Sequence, residues 1–137
     1  MSDIFKDMNG MHMKYMVPVV VNRMNKEMLA KFLAFRLECC QEELDETKAA
    51  LDNNDPEEIV DGLIDLIVFA AGTLDLMKVD GDAAWQEVLK ANLNKKVGIK
   101  ESRPNPFGLP DLTKPDNWEA PNHGGNTGIL TEIFSKD

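Results

Sequence analysis

A turn signal, Asp52-Asn53-Asn54-Asp55-Pro56, separates two long segments of helical periodicity and leaves few ways to pack them. Upstream, Leu33, Leu37, Cys40, Leu44 and Leu51 recur along one stripe of a period near about 3.6 residues. No glycine or proline interrupts that segment from about Asn25 to Leu51. Downstream, the segment from Pro56 to about Lys78 is apolar nearly all round, with Ile59, Val60, Leu63, Ile64, Leu66, Ile67, Val68 and Phe69. Asp55 reads as the N-cap of this second helix, Pro56 as its first residue and Glu58 as N3, a capping-box arrangement. A connection this short makes the two helices antiparallel neighbours, and the second is expected to be the central helix of an all-α fold.

The rest of the chain is organised around that pair. Seven of the eight methionines fall in the first 28 residues, around a short helix near Met11-His12-Met13-Lys14-Tyr15, where they are expected to fill gaps against the core. Val17-Pro18-Val19-Val20-Val21 reads as a turn or extended piece and is the strongest strand signal present. Beyond the turn Val79-Asp80-Gly81-Asp82, with Asp82 as N-cap, a third helix is expected from about Ala83 to Lys95, with Trp85, Val88, Leu89 and Leu93 on its apolar side. After Gly98 the texture changes, since five of the seven prolines lie between Pro104 and Pro121, followed by Gly124-Gly125. This reads as an irregular Pro-rich arm draped over the helices by Phe107, Leu109 and Trp118. The expected organisation is a helical catalytic domain over 1–98, with 99–137 an arm of the same domain.

Several function classes drop out. At 137 residues the chain suits one domain, and 43% hydrophobic residues fit a globular protein. A net charge of -9 argues against binding a nucleic-acid backbone, whose partners are basic. The N-terminal residues lack the basic and apolar regions of a secretory leader. The longest apolar run, Leu63 to Leu76, is interrupted by Asp65, Thr73 and Asp75 and is too short for a membrane span, so no membrane partner is expected. The two cysteines, Cys39 and Cys40, are adjacent and expected to be reduced, which points to the cytoplasm. With only His12 and His123 as histidines, at opposite ends of the chain, any metal site must be built from oxygen.

The negative charge is concentrated. Residues 38–65 hold eleven acids against Lys48 alone, a local balance of -10, which leaves the other 109 residues at +1. Glu43 and Glu46 stand one helical turn apart, with Glu42 beside them, while Glu58, Asp61 and Asp65 recur at i, i+3 and i+7 on the second helix. Antiparallel pairing therefore gathers four to six carboxylates between two helices. Such crowding is costly unless some groups protonate or share a cation, and hard oxygen ligands suit Mg²⁺ or Mn²⁺. A solvated acidic face is the alternative, sufficient for Glu38 and Asp45 but poor for Asp61 and Asp65, which should be at least partly buried on so apolar a helix.

Downstream, Lys90, Lys95, Lys96, Lys100 and Arg103 face a single acid, Glu101. They either complement a helix C-terminus or hold the outer phosphates of a polyphosphate. Asn92 and Asn94 could add hydrogen bonds. Ferritin-like Glu-x-x-His pairs, an EF-hand loop, a G-x-x-x-x-G-K-[ST] phosphate loop and a cysteine–histidine nucleophile site all fail to match.

Glu42-Glu43-x-x-Glu46 followed, after eleven intervening residues, by Glu58-x-x-Asp61 resembles the paired acidic signature of the all-α nucleoside triphosphate pyrophosphohydrolases: MazG-like enzymes, dimeric dUTPases and phosphoribosyl-ATP pyrophosphohydrolases. Phe35-Arg36-Leu37, Asp61-Gly62-Leu63-Ile64-Asp65-Leu66, Ala91-Asn92-Leu93-Asn94-Lys95 and the ending Lys114-Pro115-Asp116-Asn117-Trp118 are similar to the phosphoribosyl-ATP pyrophosphohydrolase-like branch common in bacteria and their phages. The resemblance implies Mg²⁺-dependent hydrolysis of a nucleoside or deoxynucleoside triphosphate to the monophosphate and pyrophosphate. It implies Glu43, Glu46, Glu58 and Asp61 as Mg²⁺ ligands, with Mn²⁺ a possible substitute. Glu42 or Asp65 would accept a proton or orient ligands, and Asn92, Lys95, Lys96 and Arg36 would contact substrate. It also implies a homodimer or homotetramer in which helix pairs complete a four-helix bundle. Hydrolysis of phosphoribosyl-ATP and a non-catalytic helical dimerisation module are the alternatives.

Overall fold

The computed structural model describes residues 2–136, and among them it contains six α-helices and one two-stranded sheet. In chain order these are α1 (Ile4–Lys14), α2 (Val17–Val21), α3 (Lys26–Asp52), α4 (Pro56–Leu76), α5 (Gly81–Leu93), β1 (Lys96–Gly98), β2 (Asp111–Thr113) and α6 (Leu130–Phe134). The chain divides into two compact units, Met1–Gly81 with Thr127–Asp137, and Asp82–Asn126.

In the first unit α3 and α4 form the expected antiparallel pair. Asn25 caps α3 by accepting from the Met28 amide at 2.9 Å, and Asp55 caps α4 by accepting from the Glu58 amide at 3.1 Å. Between them Asn54 takes a left-handed φ of 54°, a conformation that asparagine tolerates, and the Asp55 amide returns to the Ala50 carbonyl at 2.9 Å. The innermost core lies at the far end of α4, where Val21, Leu76, Met77 and Ile133 are buried with Phe32, Leu33 and Leu130 packed around them.

Four expectations for this unit are corrected. Val17–Val21 is helical, not extended: Pro18 favours the first turn, and Met16 in a left-handed conformation starts it. The first helix is longer than Met11–Tyr15 because Asp3 caps it at the Lys6 amide, 3.0 Å away. Met8 is buried, but Met13 and Met16 are 62% and 63% exposed, so most of the N-terminal methionines do not fill the core. Leu37 and Leu51 point outward while Cys39 and Ala50 are buried, because α3 meets α4 through its small and polar face. α4 is the central helix as expected, packing against both α3 and α1, and its face through Val60, Leu63, Ile64 and Ile67, at i, i+3, i+4 and i+7, is exposed.

In the second unit α5 begins at Gly81, so Asp82 lies inside its first turn and is not its cap. The apolar side of α5, Trp85, Val88, Leu89 and Leu93, is exposed. After Gly98 the chain is less irregular than its prolines suggest. β2 pairs antiparallel with β1 in the register Lys96↔Thr113, Val97↔Leu112 and Gly98↔Asp111. Trp118 Nε1 donates to the Ala91 carbonyl at 2.7 Å, and the Asn122 amide donates to Glu87 at 3.2 Å. Phe107 and Leu109 do not anchor the segment, being 83% and 63% exposed. Among the described residues no helix is long and apolar enough to cross a membrane.

Candidate functional site

The register of α3 against α4 is fixed at two places. Thr47 lies against Gly62, and farther along Arg36 Nε donates to Thr73 Oγ1 at 3.0 Å. The residue numbers of the two pairs add to the same total, as they must in a regular antiparallel pairing. By that register Glu43 stands across from Leu66, next to Asp65, and Glu46 stands across from Leu63.

The acidic residues accordingly meet at the middle of the pair. Glu43 is half-buried, and its Oε2 is buried with no hydrogen-bond partner. Burial pushes the Glu43 carboxyl above the ordinary glutamate range, and the neighbouring charges of Glu46, Asp65 and Asp61 push it the same way. Three of the other five expected carboxylates thus act on Glu43. Asp65 is half-buried, whereas Asp61 is exposed, contrary to the expectation drawn from the apolar character of its helix, because Asp61 lies about 100° around α4 from Gly62, the residue that faces α3. Glu58 is exposed in the first turn of α4 and is not among the charges acting on Glu43. Glu42 is exposed and acts instead on Cys39, whose thiol is pushed up by burial first and by the Glu42 charge second. Both cysteines are free.

Among the described residues no group of three or more His, Cys, Asp or Glu is already arranged to hold a metal ion. The donor chemistry nonetheless fits a hard divalent cation: the charges of three carboxylates raise the proton affinity of a fourth, Glu43, and one oxygen, Glu43 Oε2, is shielded from water without a partner.

Arg36 has a different environment. Its guanidinium donates to Thr73 Oγ1 and, at 3.3 Å, to the Phe69 carbonyl, and lies 5.1 Å from the centroid of the Phe69 ring. Burial lowers its pKa below the ordinary value for arginine. Thr73 and Phe69, which hold it, were not singled out by the sequence; their signal is position, since both recur on the α4 face that carries Gly62 and Asp65. Nearby, His12 of α1 is buried with Nδ1 2.6 Å from Asp75 Oδ2, and Asn9 donates to the other Asp75 oxygen at 3.1 Å. α1 is thereby attached to α4 by polar contacts.

The other expected substrate contacts belong to the second unit. Lys95 is half-buried with Nζ 5.5 Å from the Trp118 ring centroid, and Lys114 lies 4.8 Å from the same ring. Asn92 is exposed near the end of α5, and Lys96 is exposed in β1, its carbonyl accepting from Thr113 Oγ1 at 3.2 Å.

No curated protein and no solved structure matches the chain. Its sequence from residue 20 to residue 92, which spans α3, α4 and nearly all of α5, matches the family of phosphoribosyl-ATP pyrophosphohydrolases. The chain with paired acidic helices therefore belongs to that family, within the MazG-like all-α nucleoside triphosphate pyrophosphohydrolases.

Proposed function

We propose that the chain hydrolyses a nucleoside or deoxynucleoside triphosphate to the monophosphate and pyrophosphate in a Mg²⁺-dependent reaction. The observation that carries this reading is the cluster on Glu43, where burial and three carboxylates combine at an oxygen without a partner. Glu43, Glu46, Glu58 and Asp61 are assigned as holders of the cation, with Mn²⁺ as a substitute. Bound there, a divalent cation supplies charge neutralisation for phosphate oxygens and acidifies water. Asp65, half-buried beside Glu43, is assigned to accept the proton of the attacking water, with Glu42 in the same role as the alternative. The stretch through Lys95 and Lys96 is assigned phosphate contacts and Asn92 a sugar contact. Arg36 is assigned a contact with substrate as well.

Two further assignments accompany this one. The exposed apolar face of α4, through Val60, Leu63, Ile64 and Ile67, suits a homodimer or homotetramer in which a second copy completes a four-helix bundle. The free cysteines suit a cytoplasmic enzyme. Phosphoribosyl-ATP is the second substrate reading, favoured by the family match itself.

Release of pyrophosphate from a panel of nucleoside triphosphates, deoxynucleoside triphosphates and phosphoribosyl-ATP, with and without Mg²⁺, tests the reading. Turnover is expected only with the cation, and is expected to fall at least about a hundredfold in Glu46→Ala and Asp61→Ala, the scale set by losing a transition-state charge partner. Undiminished turnover in either variant refutes the ligand assignment, and a folded chain inert on the whole panel favours a non-catalytic dimerisation module.

A further inference from the structure

The two glycines of α4 lie on its α3-facing side and behave differently. A Cβ added at Gly72 would meet the tip of the Arg36 side chain at 2.8 Å and the His12 ring at 3.3 Å. The tip of an arginine is flexible and can move. A Cβ added at Gly62 would overlap Thr47 Oγ1 outright and stand 3.3 Å from Thr47 Cβ and 3.5 Å from Thr47 Cα, so there the neighbour is a β-branched side chain close to its own backbone. Thr47 cannot easily turn away, because its hydroxyl donates to the Glu43 carbonyl at 2.7 Å. Gly62 is buried, and α3 and α4 approach each other there as closely as the missing side chain permits.

This contact lies within the acidic cluster. Gly62 directly follows Asp61, and Thr47 directly follows Glu46. Thr47 is also tied to Glu43 through the hydroxyl bond, so the same side chain touches the partner helix and the turn that carries the orphaned carboxylate. A carboxylate reaches only a short distance beyond its helix, and ligand distances to a divalent cation are set within a few tenths of an ångström. The separation of the two helix axes at this level therefore determines whether Glu43 and Glu46 on α3 can share a cation with Asp61 on α4, and how near Asp65 stands to it.

We propose that the Gly62–Thr47 contact is the spacer of the site: both are positioning residues that set how closely the two pairs of carboxylates approach, and neither touches substrate. This rests on the reading of the cluster as the seat of a divalent cation. It adds that the absence of a side chain at residue 62, and not only the acids around it, is required for the site to form.

The experiment compares the unaltered chain with Gly62→Ala, Thr47→Ala/Gly62→Ala and Gly72→Ala, measuring Mn²⁺ affinity by calorimetry without nucleotide, thermal stability, and the helix separation in crystals. Gly62→Ala is expected to bind Mn²⁺ at least about tenfold more weakly, the scale seen when the support of a metal ligand is lost. Its Glu43-to-Asp65 distance is expected to widen. Removing the Thr47 hydroxyl and methyl in the double variant relieves the overlap and is expected to restore most of the affinity. Gly72→Ala is expected to lower stability and leave Mn²⁺ affinity unchanged. Unchanged Mn²⁺ binding in Gly62→Ala, an equal loss in Gly72→Ala, or no recovery in the double variant overturns the proposal. If Gly62→Ala does not fold, the double variant decides: tight Mn²⁺ binding supports the spacer, and weak binding by a folded chain overturns it. If the unaltered chain binds no Mn²⁺, the cation reading fails, and the helix separations alone decide the spacer: widening that the double variant reverses supports it, and an unchanged separation overturns it.

Discussion

Replacing Arg36 by methionine separates two roles that this residue could have, and the structure sets the size of the effect. The substitution keeps an unbranched apolar stem and removes the guanidinium, with its bonds to Thr73 Oγ1 at 3.0 Å and the Phe69 carbonyl at 3.3 Å and its place over the Phe69 ring. Two bonds from a charged donor contribute about 1.5 kcal/mol each at the lower end of their range, and the ring contact about 0.5 to 1 kcal/mol. Against this stands the desolvation of the guanidinium, visible in its lowered pKa. Thr73 Oγ1 keeps a partner, since it donates to the Phe69 carbonyl at 2.6 Å, so no hydroxyl is orphaned. The net loss is expected to be about 2 kcal/mol, or roughly 6 °C in Tm for a chain of this size. Urea unfolding followed by far-ultraviolet circular dichroism measures it, with the KM for a triphosphate measured in parallel. A loss below about 0.5 kcal/mol refutes Arg36 as a brace between α3 and α4, since even one of its bonds should exceed that. A raised KM with unchanged stability would assign Arg36 to substrate instead.

The Glu43 carboxyl titrates above the ordinary glutamate range, so the folded chain binds its proton more readily than the unfolded chain does. Stability is therefore lost as pH rises from the ordinary carboxylate pKa through the raised one, and Glu43→Gln should melt higher than the unaltered chain at pH of about 7 in a chelator. That advantage is expected to vanish below pH of about 4, where the unfolded carboxyl is also protonated; a constant difference at all pH values would refute it. Ile67→Glu, on the exposed α4 face, is expected to reduce the mass seen by light scattering to that of one chain without loss of helicity, and an unchanged oligomer would show that this face is not the interface.

The helix pair was legible because its signals are local. Asp55 and Pro56 act on the backbone within one turn, and the cap of α4 lies where the sequence puts it. The meeting of Glu43, Glu46, Asp61 and Asp65 was legible for the same reason, once a short connection had imposed an antiparallel register. The exposure of Leu37 and Leu51 was not, because which stripe of α3 faces inward depends on how closely Gly62 lets α4 approach. Periodicity finds an apolar face and is blind to a contact made through Thr47 and Arg36. Val17–Val21 misled through composition: β-branched residues favour strands, but five residues between Met16 and Asn22 with Pro18 in the first turn are satisfied by one helical turn. β2 was hidden for another reason, since it lies within a proline-rich stretch and its three residues are too few to carry an alternating pattern.

The return of the chain at α6 bears on how this protein can change over evolutionary time. The Ile129 amide donates to the Met77 carbonyl at 2.8 Å, Gly128 packs against Met77 and Lys78 with a φ of 52°, and Ile133 is buried in the core beside Met77. Gly81, where the chain leaves the first unit, follows Lys78 by only a few residues. Exit and re-entry thus share one small patch of backbone, and the whole of Asp82–Asn126 is a cassette threaded through a single doorway. The closure at Met77 and Ile129 uses no residue of that segment, so a change of length in the proline-containing connection between β1 and β2 leaves it untouched.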